Sequence, residues 1–446
     1  MFKNQLRPFL FVVLAVAACC AVQTAQASTV AVGTCKSGVP QFTTIGAAIT
    51  AAPAGAIVDV CPGTYAEQVV IAKNLTLIGI QSGTNDAAVI VPPAGGLVSN
   101  GSDIFGFPVA PQIFVQNANV TISHITVDAT GNNLAGCGAP TLEGIYFQNS
   151  SGKIIDNVAR NQYQTDFASF GGCQNGLAIN VEGLSNIGLV SVTNNSVRAY
   201  QKNGITATGA GTGPNSLGPD VTISNNYIVG LAATAMNWPG GAAENGVQFG
   251  FGATGTVSGN TVNDNIWFAD TSSQPYNAAS GILVFASNGI TVTGNSVGSA
   301  QFGITTNTDT TSTFCNGGPC GTADNTLITS NKVSGTQIFD AIDACSNSNT
   351  VKSNTIYGSA ESGVHVDDSC GSGNNNTVQN NTINEACAGI LFGTGTNPTV
   401  SPNTFYNVTK TTLAGDVCPS ISTPTTAGTS GKHSSLRPSP FTPNRK

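Results

Sequence analysis

The chain has 446 residues, a formal net charge of −7, 53 glycines and only 8% charged residues, about a third of the ~25% usual in a globular domain. So little charge excludes a protein built mainly of amphipathic helices, which need a charged solvent face, and the acidic balance offers no footprint for nucleic acid. Abundant Gly, Asn, Thr and Val instead suit short strands joined by tight turns, where Asn and Gly supply left-handed backbone angles at little cost.

In chain order, Lys3 and Arg7 precede an apolar run from Phe9 to Ala18 and the small-residue site Ala25-Gln26-Ala27. This pattern predicts an export signal over residues 1–27. Val16-Ala17-Ala18-Cys19 resembles a lipoprotein lipobox. Cleavage after Ala27 leaves ten of the 12 cysteines, an even number, whereas lipidation at Cys19 would leave Cys20 as an odd thiol. The expectation is therefore a secreted, periplasmic or cell-surface protein with disulfides, lipid anchoring at Cys19 being the minor alternative. No later apolar run approaches the ~18 residues of a membrane helix. Residues 28–418 are read as one domain. The Ser/Thr/Pro-rich segment 419–446 is read as a disordered tail, since it cannot bury enough apolar surface.

A repeat dominates the domain. Asn-x-(Val/Ile) recurs at Asn195, Asn226, Asn260, Asn295, Asn331, Asn354 and Asn381, with Asn157 and Asn403 as degenerate members. The shortest spacing, 22 residues, is one bare turn of a three-stranded solenoid, and the longer ones add inserted loops. A second marker, a small residue followed by an apolar one, keeps phase with it: Gly144-Ile, Gly176-Leu, Gly204-Ile, Gly246-Val, Gly281-Ile, Gly303-Ile, Ala341-Ile, Gly363-Val and Gly389-Ile. Two phase-locked markers predict an all-β solenoid of about 11 coils, with inward residues stacked coil on coil and the asparagines forming a ladder at one corner.

This pattern resembles a right-handed parallel β-helix of the pectin-lyase-like superfamily over roughly residues 40–410. The segment from Phe42 to Tyr65 resembles the opening coil of that superfamily, which implies a short helix over Thr44–Ala52 plugging the open end of the core. Pro62-Gly63-Thr64-Tyr65-Ala66-Glu67 is similar to the first coil of pectin methylesterases, but their later catalytic motifs are missing and neither tryptophan adjoins an arginine. The motif thus reads as a fold signal, and Asp103-Ile104-Phe105-Gly106 as a chance fragment. Phe339-Asp340-Ala341-Ile342-Asp343 and Asp367-Asp368 resemble polygalacturonase motifs, without the Gly-His-Gly and Arg-Ile-Lys partners of that family. Pectate lyases of this fold use a basic residue and calcium or cationic groups. Only nine Lys and Arg residues remain in the body once the signal and tail are set aside, so a broad cationic groove is excluded.

Two constellations are candidate sites. Arg160 and Arg198 each follow a ladder asparagine by three residues and should stack on adjacent coils, with Tyr200 and Lys202 just beyond. Long inserts flank this corner and carry Tyr163, Asp166, Phe167, Trp238 and, further on, Trp267. Aromatic faces beside basic groups suit a sugar chain, and Arg reads a carboxylate in a fork. Arg198, Lys202 and Arg160 are the catalytic candidates here, with Tyr163, Tyr200, Trp238 and Trp267 binding substrate. The bland alternative is that the aromatics fill small loop cores and the arginines bond to loop carbonyls. The second constellation lies on the outward positions after the glycine marker, predicted as Tyr146, Ala178, Thr206, Gln248, Leu283, Thr305, Asp343, His365 and Leu391. It makes Asp343 and His365 neighbours with Asp367 two residues on, a set able to act as general acid and base or, in the bland reading, a modest surface ion pair.

The cysteines are expected to pair as Cys35–Cys61, Cys137–Cys173, Cys315–Cys320, Cys345–Cys370 and Cys387–Cys418, with no zinc spacing among them. No cofactor is expected, and calcium stays open. The favoured reading is an exported monomer that binds a polysaccharide or cell-surface glycan, uronate-containing by preference, and cleaves it as a lyase or hydrolase if it is an enzyme. The alternative is a non-catalytic surface, adhesive or structural solenoid.

Overall fold

Each coil turns at an asparagine preceded by a residue in the left-handed region: Asp156, Asn194, Asn225, Gly259, Gly294, Ser330, Ser353 and Asn380 all have φ between 55° and 65°. Asn, Asp and Gly reach these angles at least cost. The asparagine that follows points inward and is buried. Its Oδ1 accepts from both the backbone N–H and the Nδ2 of the asparagine one coil earlier, as between Asn226 and Asn260 at 2.9 Å each. Its own Nδ2 also donates to a main-chain carbonyl, that of Ile223 for Asn260. The predicted ladder runs unbroken from Asn157 to Asn403.

The computed structural model describes residues 27–83, 86–165, 173, 175–184, 188–211, 218–231, 244–266, 277–310, 319–336, 339–370, 373–415 and 437–438. The predicted export signal except Ala27, and Trp238, Trp267, Asp166 and Phe167, lie outside these residues, as does all of the predicted tail except Arg437–Pro438.

Three parallel faces result. A 14-stranded sheet carries the strands that precede the asparagines, and a 23-stranded sheet bent round a corner carries the second and third strand of each coil. One coil illustrates the pattern, with Leu189–Thr193 on the first face, Ser196–Tyr200 on the second and Asn203–Thr208 on the third. Its inward residues Val190, Val192, Val197, Ile205 and Ala207 are fully buried and stack on those of the neighbouring coils, each aliphatic side chain contributing about 1.5–3 kcal/mol on burial. The glycine marker has a steric cause. A Cβ on Gly303 would lie 2.3 Å from the Ala341 carbonyl of the next coil.

At the N-terminal end a helix, Ile45–Ala51, closes the core with Ile45, Ala48 and Ile49, close to the expected span. Thr44 caps it by accepting from Ala47 N. The solenoid is therefore the parallel β-helix that the repeat predicts, and among the described residues no helix is long and apolar enough to cross a membrane.

One marker is displaced. Ile145 pairs with Ile179, so Ala178-Ile179 fills the slot expected of Gly176-Leu177, and Asn180, not Ala178, continues the outward row beside Tyr146. Gly176 has φ +85° and belongs to the preceding turn. Disulfides Cys35–Cys61, Cys137–Cys173 and Cys345–Cys370 form as expected. Cys320 and Cys387 are also disulfide-bonded, their expected partners lying outside the described residues.

Candidate functional site

Among the described residues, the basic groups expected to share a groove at one corner do not do so. Arg160 and Arg198 do pair in register on the second face. Arg160, however, is held by two carboxylates, its Nε 2.7 Å from Asp128 Oδ2 and its NH1 2.9 Å from Asp86 Oδ2. The hydrogen bond from Arg160 holds the Asp86 carboxyl below its usual range. Arg198 remains exposed. Tyr200 and Lys202 leave this surface altogether. Ala199 adopts φ 55°, which breaks the strand alternation and turns Tyr200 inward, where its hydroxyl donates to Asn265 Oδ1 at 2.6 Å. Lys202 is 0% exposed. Burial pushes its pKa well down, and Glu244, whose carboxyl burial pushes well up, supplies the opposing charge. Tyr163 is half-buried, so of the residues assigned to this groove that are described, only Arg198 is fully exposed.

The outward row of the third face forms in the expected register, with Thr206, Gln248, Leu283, Thr305, Asp343, His365 and Leu391 one above the next. It is not an open surface. Its members from Tyr146 to Leu391 are buried, so the Asp343–His365 pair is not the solvent-screened surface pair of the bland reading.

Around that pair the structure adds a residue that alternation alone does not supply. Asp340, in the turn before the strand Ile342–Cys345, accepts from Ser362 N at 3.1 Å and Ser362 Oγ at 2.5 Å through Oδ1. Its Oδ2 lies 3.1 Å from His365 Nδ1, which fixes the ring. Asp343 is 3% exposed and its Oδ1 has no hydrogen-bond partner. Burial, then the charge of Asp367, drives its carboxyl well above the usual range. Asp340, Asp343 and His365 each offer an atom within 4.8 Å of the others, a set that could also hold a cation. Cys345 and Cys370 beside Asp367 are joined to each other and so supply no thiolate ligand.

The cluster opens on one side. His365 is 8% exposed, while Asp367, Asp368 and Ser369 are half-buried. Asp367 is oriented by Ser369, whose N–H and Oγ–H donate at 2.7 and 2.6 Å. Asp343 is level with His365, and Asp367 follows two residues further along that coil. The arrangement is a buried carboxyl whose pKa burial raises, an imidazole held by a second carboxylate, and a more exposed carboxylate at the rim.

Residues 143–405, more than half of the chain, match the family described as the right handed beta helix region. No curated protein matches the chain in sequence. The GH136 lacto-N-biosidase from Eubacterium ramulus superposes with a TM-score of 0.51 at 11% identity, over 87% of this chain and 67% of that one. The surface adhesin PfbA of Streptococcus pneumoniae gives 0.50 at 13% identity, over 83% and 87%. The A-module of the mannuronan C-5 epimerase AlgE6 from Azotobacter vinelandii gives 0.46 at 16% identity, over 82% and 94%. At such identities the likeness is one of fold. With its unbroken asparagine ladder and three parallel faces, the chain belongs to the right-handed β-helix family.

Proposed function

We propose that this protein acts outside the cytoplasm on a neutral glycan, binding it at the open side of the Asp340–Asp343–His365 cluster and hydrolysing a glycosidic bond there. The observation that supports this is the convergence of those three side chains within 4.8 Å, beside the more exposed Asp367. In this reading the Asp343 carboxyl gives its proton to the glycosidic oxygen as the bond to the anomeric carbon breaks. Asp367 takes a proton from the water that attacks that carbon. The reading calls for inversion, in which the two carboxyls stand ≈ 6.5–9.5 Å apart to leave room for the attacking water. His365, level with Asp343 and fixed by Asp340, orients substrate hydroxyls.

A neutral sugar is favoured over the uronate expected from the sequence. Arg160 is engaged by Asp86 and Asp128 on another face, and the open side carries Asp367 and Asp368, which would repel a carboxylate. The three disulfides fit an oxidising, extracellular setting.

Reducing ends released from neutral and uronate-containing glycans by wild type, Asp343→Asn and Asp367→Asn test the reading. Turnover of a neutral glycan that falls 100-fold or more in both variants, as expected for loss of a proton-transfer group, supports it. Turnover of a uronate with unsaturated product, or variants as active as wild type, overturns it. The burial of Asp343 favours a second reading, a solenoid that binds a surface glycan without cutting it. Glycan binding without turnover in wild type would select that one. A glycosidase and an adhesin both share the fold, and fold alone does not choose between them.

A further inference from the structure

The opposite end of the same face buries two carboxylates that this reading does not use. Glu143 and Glu182 are each 1% exposed. The Asn180 amide bridges them, Nδ2 donating to Glu143 Oε1 at 2.9 Å and to Glu182 Oε1 at 3.2 Å. Tyr146 donates its hydroxyl to Glu182 Oε2 at 2.5 Å. A short antiparallel hairpin closes over them, Gly101–Ser102 pairing with Val109 and Pro108, and Ile104 N–H lies 3.4 Å from Glu182 Oε2. Among the described residues, no cation offsets this pair. After burial, the charges acting on Glu143 are Glu182 and Asp103, and the charge acting on Glu182 is Asp103. Two buried carboxylates without a counter-charge are costly, and ordinarily one would be replaced or paired.

A second observation points to what is missing. Glu143 Oε2, Asn180 Oδ1, Thr206 Oγ1 and Thr208 Oγ1 are buried without any hydrogen-bond partner. Thr206 and Thr208 are wholly buried and stand level with Asn180 and Glu182 on the next coil, on the same outward side. Buried polar atoms of native proteins almost always find partners, and here all four are oxygens on three successive coils. Oxygen-only donors, with two negative charges and no nitrogen or sulfur ligand, suit a hard divalent cation, and the irregular set suits calcium, which tolerates flexible geometry, better than magnesium.

We propose that Glu143, Asn180, Glu182, Thr206 and Thr208 bind a calcium ion beneath the hairpin that contains Ile104. The ion would neutralise the two carboxylates and tie the hairpin to the solenoid. It is independent of the glycan site, five coils and about 24 Å away at the usual strand spacing.

The test is calcium titration of the full chain after EDTA treatment, by calorimetry and by unfolding temperature, for wild type, Glu143→Gln and Thr206→Val. Glu143→Gln keeps the shape and the bond from Asn180 but removes one charge, and Thr206→Val removes one oxygen at similar volume. The expected result is one calcium per chain in wild type, with an unfolding temperature that rises with calcium as required of a ligand for the folded state. Affinity should fall at least tenfold in each variant. Absence of calcium binding in wild type overturns the proposal and leaves buried water or protons as the partners of these oxygens. Binding unchanged in both variants also overturns it, by placing the ion elsewhere. If one variant fails to fold, the other decides.

Discussion

Glu67 accepts hydrogen bonds from the backbone N–H groups of Ile45 at 2.8 Å and Gly46 at 3.0 Å, across 22 and 21 residues of chain. These are donors at the start of the capping helix, where no intrahelical acceptor exists, and the helix dipole favours a negative charge there. In the same motif the Tyr65 hydroxyl donates to the Cys61 carbonyl at 2.7 Å. The Gly-x-Tyr-x-Glu stretch thus locks the plug onto the first coil, a structural duty with no chemistry attached. Glu67→Ala should cost about 1–2 kcal/mol in urea denaturation, with Glu67→Gln between it and wild type. Glycan binding or turnover should be unchanged in both.

The asparagine ladder gives a sharper loss. Asn260 accepts from the main chain and side chain of Asn226 and donates to Ile223 O and Asn295 Oδ1. Asn260→Ala leaves buried donors on one coil and a buried acceptor on the next, which costs about 1–3 kcal/mol for each unsatisfied group. Hydrogen exchange should therefore quicken at Asn226 and Asn295 first, while the ends of the solenoid, many coils away, keep their protection. Uniform loss of protection along the chain would show instead that the coils unfold only as a whole.

Arg160 belongs to a partly exposed network with Asp86 and Asp128. Such pairs contribute at most about 1 kcal/mol. Arg160→Ala should lower stability by no more than that, with the effect shrinking at high salt, and should leave glycan affinity unaltered. A large loss of affinity would return the glycan site to this corner.

The buried carboxyls set the pH dependence of the metal-free chain. Burial, reinforced by Asp103, raises Glu182 from 4.5 to about 7, and Glu143 and Asp343 are raised well above their ordinary values. A carboxyl raised in the folded state keeps a proton that the unfolded chain releases. Its stabilisation is complete below the unfolded value near 4.5, declines as pH rises and is gone above the folded value. Unfolding temperature in EDTA should fall as pH is raised from about 5 to 8. Glu182→Gln should flatten this slope by an amount on the order of a few kcal/mol, and a slope unchanged in the variant would place the titration elsewhere.

The repeat and the register are written locally. The left-handed residue, the buried asparagine and the marker glycine each recur because every coil meets the same steric demand from the coil beside it. That is why the order of the third face from Thr206 to Leu391 was legible, along with the disulfides Cys35–Cys61, Cys137–Cys173 and Cys345–Cys370. The site was legible only where strict alternation held. Asp343 and His365 follow from period two, whereas Asp340 sits in a turn and reaches His365 through the fold alone.

The sequence by itself determined the solenoid, its capping helix and which residues stand level on adjacent coils, because those depend on short-range backbone geometry repeated many times. Only the tertiary structure decided which side chains are available. A left-handed Ala199 turned Tyr200 into the core, and Gly176 shifted one coil's marker by two residues to bring Asn180 between Glu143 and Glu182. Asp86 reached Arg160 across 74 residues, and the outward row was buried along its length. Alternation fixes which way a strand residue points, but whether solvent, a loop or a counter-charge meets it there depends on segments remote in sequence, which no local pattern encodes.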